Sequence, residues 1–358
     1  MKALALQALA AALVVAALLW LAHNAAGALA RRNIDIDFGF LLRPAGFNIP
    51  FTLMPWDTTD SYGRALLVAG LNTLVAAALA IAGATVLGLG LALMRLSTNP
   101  LARWLSRGVI ELVRNTPQLL QVVFWYFAVL QTLPGTRDSL AVGGVAFLNV
   151  RGLFLPAPAA ALTWFVLAAV LLATLPSAHR STARLRTFCR LAAAALLATG
   201  LATVSWTAPR LTGFNFTGGW RLPPELLALA AGIAIYTSAF VAENVRASIT
   251  AVGTGQIEAA RSLGLSPGRT MRLVILPQAL RTLLPPLTSQ YLNVIKSTTL
   301  GSAIAYPEIL QIFARTVLNQ SGRAVEVMSL VLGLFLAVNL AVSALMNRWD
   351  HRLARQTR

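Results

Sequence analysis

Residues 255–286 read GQIEAARSLGLSPGRTMRLVILPQALRTLLPP, a polar, hinged interlude in a chain that is otherwise strongly apolar. From Gly255 to Leu263 the pattern is helical, with Ile257, Ala260 and Leu263 recurring at i, i+3 and i+6 and Gln256, Arg261 and Ser262 facing elsewhere. Gly264 follows the last periodic residue, where a left-handed C-cap favours glycine. Ser266 and Pro267 then read as an N-cap and a first helical position. Pro277 and the pair Pro285-Pro286 interrupt the next run, so a bend is expected as the chain turns apolar again. The stretch predicts a short surface helix, a turn and a second helix leading into a span. On physical grounds two uses stay open: a loop resting on lipid headgroups, or a docking surface for a soluble partner.

The rest of the chain makes the surroundings of that interlude a membrane. Of 358 residues, 57% are hydrophobic and 11% charged, against about 25% charged in a soluble protein; the mean hydropathy is +0.70. Eight runs approach the roughly 20 apolar residues that cross a bilayer: 3–21, 64–94, 109–133, 157–175, 188–205, 224–245, 283–305 and 325–346. The expected fold is all-α and polytopic. The first run also resembles a signal peptide, because Ala28-Leu29-Ala30 has the small-x-small form of a cleavage site; its length favours a retained span. Loops at 24–60, 134–156 and 207–223 are rich in Gly, Pro, Asn and Thr, as extracytoplasmic connections are.

A net charge of +17 would point to nucleic acid in a soluble protein. Here the cations gather at loop edges and set topology instead. Eighteen basic residues, Lys2 and those within 95–114, 180–190, 246–281 and 348–358, fall on one side, and ten fall on the other. That asymmetry places both termini, and the opening stretch, in the cytoplasm. One cysteine, Cys189, excludes an internal disulfide, and His23, His179 and His351 have no metal-ligand spacing.

The run Glu258-Ala259-Ala260, with Gly264 after three residues and Leu276-Pro277 twelve positions further on, resembles the EAA signature of ABC importer permeases. Val274 stands where that signature usually has isoleucine. Glu111-Leu112-Val113-Arg114-Asn115-Thr116-Pro117 is similar to an element of the polar amino-acid permeases, the histidine/glutamine group. Ala242-Glu243-Asn244-Val245-Arg246 and the run from Asn293 through Lys296 to Leu300 are similar to that group as well. The chain most resembles the larger permease subunit of general L-amino-acid importers.

The resemblance implies a type I importer fold with a five-span core at 62–133 and 223–348. An extra first span and loop would occupy 1–61, and an inserted pair of spans 134–222. The segment 251–277 would be the coupling loop, with Ile257, Glu258, Ala259, Ala260, Gly264, Leu276 and Pro277 meeting an ATPase. It also implies a second permease, either a similar chain or a copy of this one, a periplasmic amino-acid-binding protein and a bacterial inner membrane. ATP and Mg would belong to the partner ATPase, and this chain would hold no cofactor and catalyse no reaction.

Glu111 with Arg114, and Glu243 with Arg246, are i, i+3 pairs near span ends, read either as ion pairs steadying a gate or as substrate contacts. Lys296 is a lone lysine in an apolar run; it is read either as snorkelling or paired, or as meeting a substrate carboxylate. Asn72, Thr73, Gln118, Gln121, Gln290, Asn293 and Thr299 are candidates for the pathway lining, or alternatively for interhelical hydrogen bonds. The small residues Gly83, Gly88 and Gly90 read as helix-packing positions. A phosphate-binding loop needs glycine before its lysine, and Ile295 precedes Lys296. The competing class is an ion-gradient-driven secondary amino-acid transporter, which would show two related halves, and none are visible here.

Overall fold

The computed structural model describes residues 2–31, 36–159, 191–199 and 205–355. Helix α1 (Lys2–Arg31) exposes Leu9, Leu13 and Trp20. Among the described residues three helices are long and apolar enough to cross a bilayer: α2 (Tyr62–Leu96), α5 (Pro224–Thr250) and the Ala324–Arg348 stretch of α10 (Ala324–Arg355). Helix α5 is the central post, packed against α2, α3, α4 and α8, the last three defined below. Burial between apolar helices gains little from water release within a bilayer, so close approach matters more. A Cβ on Gly83 would stand 2.9 Å from the Ala234 methyl, and one on Gly88 2.7 Å from Val241. Gly90 faces open space and has no packing role within the chain.

The run at 109–133 is not one span. Helix α3 (Pro100–Asn115) buries Ser106, Ile110 and Val113, carries Arg103, Arg107, Glu111 and Arg114 on a second face, and exposes Leu101, Trp104, Leu105 and Leu112 on a third. It is an amphipathic helix, and its apolar residues raise the window average across the break. Pro117 lacks the N–H that would continue the helix to the Val113 carbonyl, which takes only a long 3.4 Å bond from the Thr116 N–H. Gln121 supplies the replacement: its Nε2 donates to the Val113 oxygen at 3.0 Å. The chain then turns back as α4 (Gln118–Phe124), continuing through a π-helical segment, Trp125–Leu130.

The expected bends at the prolines take a different form. Helix α6 (Thr254–Ser262) and α7 (Pro267–Thr270) flank Gly264, and a π-helical segment Met271–Ile275 precedes α8 (Leu276–Ser297). Helix α8 runs unbroken through Pro285 and Pro286 and continues as a 3₁₀ segment, Thr298–Ile304. Ala305, at φ +58, stops it. A π-helical segment Leu310–Val317 and α9 (Leu318–Ser321) return the chain to α10.

The all-α expectation needs correction in the insertion. The strands are β1 (Leu140–Val142), β2 (Ala146–Asn149), β3 (Gly152–Leu155), β4 (Ala157–Ala159), β5 (Ser205–Thr207), β6 (Arg210–Thr212), β7 (Asn215–Thr217) and β8 (Trp220–Leu222). They form an antiparallel sheet β1-β2-β3-β8 and the hairpin-like pairs β4-β5 and β6-β7. The spans expected at 157–175 and 188–205 therefore begin and end in strands, with a helix at 191–199; the rest of both lies outside the described residues.

Residues 36–61 form a cap over the end of the bundle opposite α6. Phe40 and Ile49 pack with Ile309, Ile312, Phe313 and Val327. Arg323 ties the cap to α10 through the Asp37 carbonyl at 2.8 Å and Glu326 at 3.0 Å. Asn72, from the fully buried face of α2, donates to the carbonyls of Phe51 and Pro307, both at 2.9 Å. Thr73 receives the Ile309 N–H at 3.2 Å, and the Tyr306 hydroxyl donates to the Asn72 carbonyl at 2.9 Å. Substituting Asn72→Ala strands the buried Pro307 carbonyl, at about 1–3 kcal/mol, and the part-buried Phe51 carbonyl at a smaller cost. A clear fall in the thermal unfolding midpoint of the detergent-purified protein is expected, and an unchanged midpoint would remove Asn72 from the framework.

Candidate translocation pathway and coupling site

Gln290, Asn293 and Lys296 recur every third residue along α8 and so share one broad face. That face borders a half-open cavity of about 330 Å³, lined also by Gln118 at the start of α4, by Tyr236, Thr237 and Phe240 of α5, and by Val294 and Ser297. The volume matches the lower range of small-ligand sites. Ser297 Oγ donates to Gln118 Oε1 at 3.0 Å, locking α8 to α4 at the cavity wall. Lys296 is exposed, and among the described residues no carboxylate lies within 4.0 Å of its ammonium.

Four of the seven amides and hydroxyls picked from sequence stand elsewhere. Asn72 and Thr73 hold the cap, Gln121 closes the end of α3, and Thr299 donates to the Lys296 carbonyl at 2.8 Å. Tyr236, Thr237, Phe240 and Ser297 were missed. Tyr236 and Phe240 are one turn apart on the helix that carries Glu243, a spacing visible in the sequence but submerged in an apolar run.

Toward the α6 end lies a charged layer. Glu243 accepts from Arg246 at 2.9 Å, and its other oxygen is 3.7 Å from Arg95. The expected Glu111–Arg114 pair is absent. Glu111 pairs with Arg107, one turn earlier, at 2.8 Å, and Arg114 lies 5.2 Å over the ring of Phe240. The Arg107 guanidinium holds the Glu111 carboxyl below its usual range, so this exposed pair persists at neutral pH and is lost only as pH falls through that lowered value. Phe240 borders both the 330 Å³ cavity and a second space of about 390 Å³ beside Glu111, Arg114 and Asn115. It is the partition between them.

The opening stretch forms the hinge that its sequence predicts. Gly264 has φ +72; the Leu265 N–H reaches the Ala260 carbonyl at 3.1 Å and the Gly264 N–H reaches Arg261 at 2.9 Å, the paired bonds of a Schellman cap. Ser266 occupies the N-cap without a side-chain bond, and Pro267 follows it. Ala260 is buried and Ile257 packs with Ile249, Val252, Ile275 and Ala279. Leu263 does not join them: six residues at about 100° each carry it roughly 120° away, and it is 81% exposed. Glu258, Ala259, Gly264 and Leu276 are exposed too, while Pro277 is half-buried. Ile257 is thus held within the chain, while Leu263 projects from it.

The sequence profile of the binding-protein-dependent transport system inner membrane components matches residues 84–355. The chain belongs to that family. It is a permease subunit, a membrane-spanning transport component rather than an enzyme, and ATP hydrolysis resides in a separate subunit. The gradient-driven alternative is set aside on this ground. YhdX of Escherichia coli (strain K12), whose name assigns it provisionally to the amino-acid ABC transporter permeases, is 45% identical over 97% of this chain and 93% of its own. The general L-amino acid transport system permease protein AapQ of Rhizobium johnstonii (strain DSM 114642 / LMG 32736 / 3841) is 38% identical, covering 94% and 88%. Among solved structures, a chain of an amino acid ABC transporter crystallised with histidines aligns with a TM-score of 0.51 at 22% identity, covering 81% of this chain and 95% of that one. That likeness supports a type I importer fold.

Proposed function

We propose that this permease forms the pathway of an ATP-driven importer of polar L-amino acids, set in a bacterial inner membrane with both termini in the cytoplasm. The carrying observation is the 330 Å³ cavity in which the Lys296 ammonium, without a carboxylate partner among the described residues, stands beside the amides of Gln118, Gln290 and Asn293. A free amino acid presents a carboxylate and further polar groups, which an ammonium and amide donors complement. The names of the relatives support the substrate class. Helix α6 and the Gly264 turn, within 251–277, dock an ATPase that binds ATP and Mg, while this chain holds no cofactor. A second, different permease completes the pathway, and a periplasmic amino-acid-binding protein delivers substrate. About eight spans make up the chain: five in the core within 62–133 and 223–348, where the Gln118–Leu130 run alone serves as the second, one before the core and two in the insertion.

The complex is tested by copurification and reconstitution in liposomes. Uptake of labelled polar amino acids is expected to require ATP and the binding protein, and to persist when ionophores collapse all ion gradients. Uptake driven by an ion gradient without ATP would overturn the proposal.

A further inference from the structure

The β-rich insertion holds a second cavity, about 410 Å³, between Arg151, Phe154, Asn215, Phe216 and Arg221. Its walls are fixed. Phe216 stacks on Phe147 and Phe154 with centroids 4.7 and 4.8 Å away, fastening β7 to the β2–β3 sheet. Gly152, at φ +117, lets the Leu222 carbonyl occupy the place of a Cβ. Arg151 Nη1 donates to the Phe214 carbonyl at 3.3 Å, Arg221 Nε donates to the Arg151 carbonyl at 3.2 Å, and Arg137 lies 4.7 Å over the Phe214 ring. Each guanidinium is tethered by one contact, which leaves its remaining donors free.

These arginines lack acids. Among the described residues no carboxylate lies within 4.0 Å of Arg137, Arg151, Arg210 or Arg221. At the same end of the molecule, Arg64 is paired with Asp60, and Arg323 with Asp37 and Glu326. Within 134–159 and 205–222 the only acid is Asp138. Around the arginines Trp206, Phe214 and Trp220 are 63%, 71% and 49% exposed. Arginine with aromatic side chains is the composition that dominates binding at protein interfaces. Helix α5, 27 residues or about 40 Å long, separates this surface from the ATPase-facing turn.

We propose that this arginine–aromatic platform is a docking surface for an acidic face of the substrate-binding protein, an assignment that rests on the importer function above. Unpaired guanidinium groups steer an acidic partner and make its capture salt-dependent. The test uses the importer purified with its own ATPase and second permease, in nanodiscs of zwitterionic lipid, titrated with the binding protein that supports its uptake. The double substitution Arg151→Gln with Arg221→Gln is expected to raise the half-maximal concentration for ATPase stimulation about tenfold at low salt. The plateau at saturating binding protein stays within about two-fold, and the salt dependence flattens. Arg151→Lys with Arg221→Lys, which keeps the charge, shifts it less than about threefold and controls for folding. An unchanged half-maximal concentration in the Gln variant, or a lowered plateau without a shift, overturns the proposal. A shift that appears only when anionic lipid is added assigns the platform to lipid headgroups and also overturns it. No stimulation of the wild type would overturn the importer function itself, and this proposal with it.

Discussion

Replacing Gly264 by Asp is expected to reduce uptake at least a hundredfold while leaving the permease inserted at normal abundance. Nothing of this chain lies within 4 Å of a Cβ at Gly264, so the space is open until a partner fills it. The residue is nonetheless bound by its backbone: φ is +72, and a side chain in that region costs about 1–2 kcal/mol. Two consequences can therefore be separated. Asn tolerates the left-handed conformation, so Gly264→Asn keeps the Schellman cap and only places atoms in the open space. If Gly264 serves docking, Asn and Asp both abolish uptake and both lose the ATPase on purification. If it serves only the turn, Gly264→Asn transports normally. Uptake by Gly264→Asn at more than half the wild-type rate would sink the docking role. The exposed neighbour Leu263 supplies a second check: Leu263→Ala, which leaves the chain's own packing untouched, is expected to weaken ATPase retention.

The hinge was legible because its signals are local. Glycine for a positive φ, serine and proline to restart a helix, and two inward-facing positions three apart, the half-buried Ile257 and the buried Ala260, each act within one turn. The pairing of Glu111 was not legible. Arg107 and Arg114 both lie one turn away on the helix surface, and the choice falls to Phe240, a residue of another helix that holds Arg114 over its ring. The third span failed for a related reason. Val109, Ile110, Leu112 and Val113, the last turns of α3, average with Gln118–Leu130 into one apolar run, and only the proline and its missing N–H divide them. Gln121 looked like a pathway amide for want of that detail, since its partner is the Val113 carbonyl that the proline cannot serve and the Thr116 N–H reaches only at 3.4 Å. In the cavity, the polar face of α8 was legible and the opposing wall of Tyr236 and Phe240 was not. Aromatic side chains in a span read as packing until the helix across from them is known.

Lys296→Met is expected to lower the kcat/KM of amino-acid uptake by about two orders of magnitude without lowering the amount of permease in the membrane. Lys296 is exposed in the single chain; once substrate and the second permease enclose the proposed pathway, losing one partner of a charge pair costs about 2–5 kcal/mol, or roughly 30- to several thousand-fold at about 1.4 kcal/mol per decade. The stability effect has the opposite sign. Among the described residues Lys296 has no carboxylate partner, and a charge at bilayer depth is itself unfavourable by a few kcal/mol. Methionine matches the stem in length and removes that burden, so abundance holds or rises. A structural lysine would behave in reverse, with loss of protein and unchanged kcat/KM per inserted molecule. Competition sharpens the distinction, because the amine analogue lacking the carboxylate competes poorly with the amino acid in the wild type. It should compete nearly as well as the amino acid in Lys296→Met, where no ammonium remains to reward the carboxylate. Lys296→Arg restores a charge in the same cavity and is expected to recover part of the discrimination. Full discrimination retained by the methionine variant would place the carboxylate elsewhere, against Gln290, Asn293 or the second permease, and leave Lys296 as a bystander at the cavity rim.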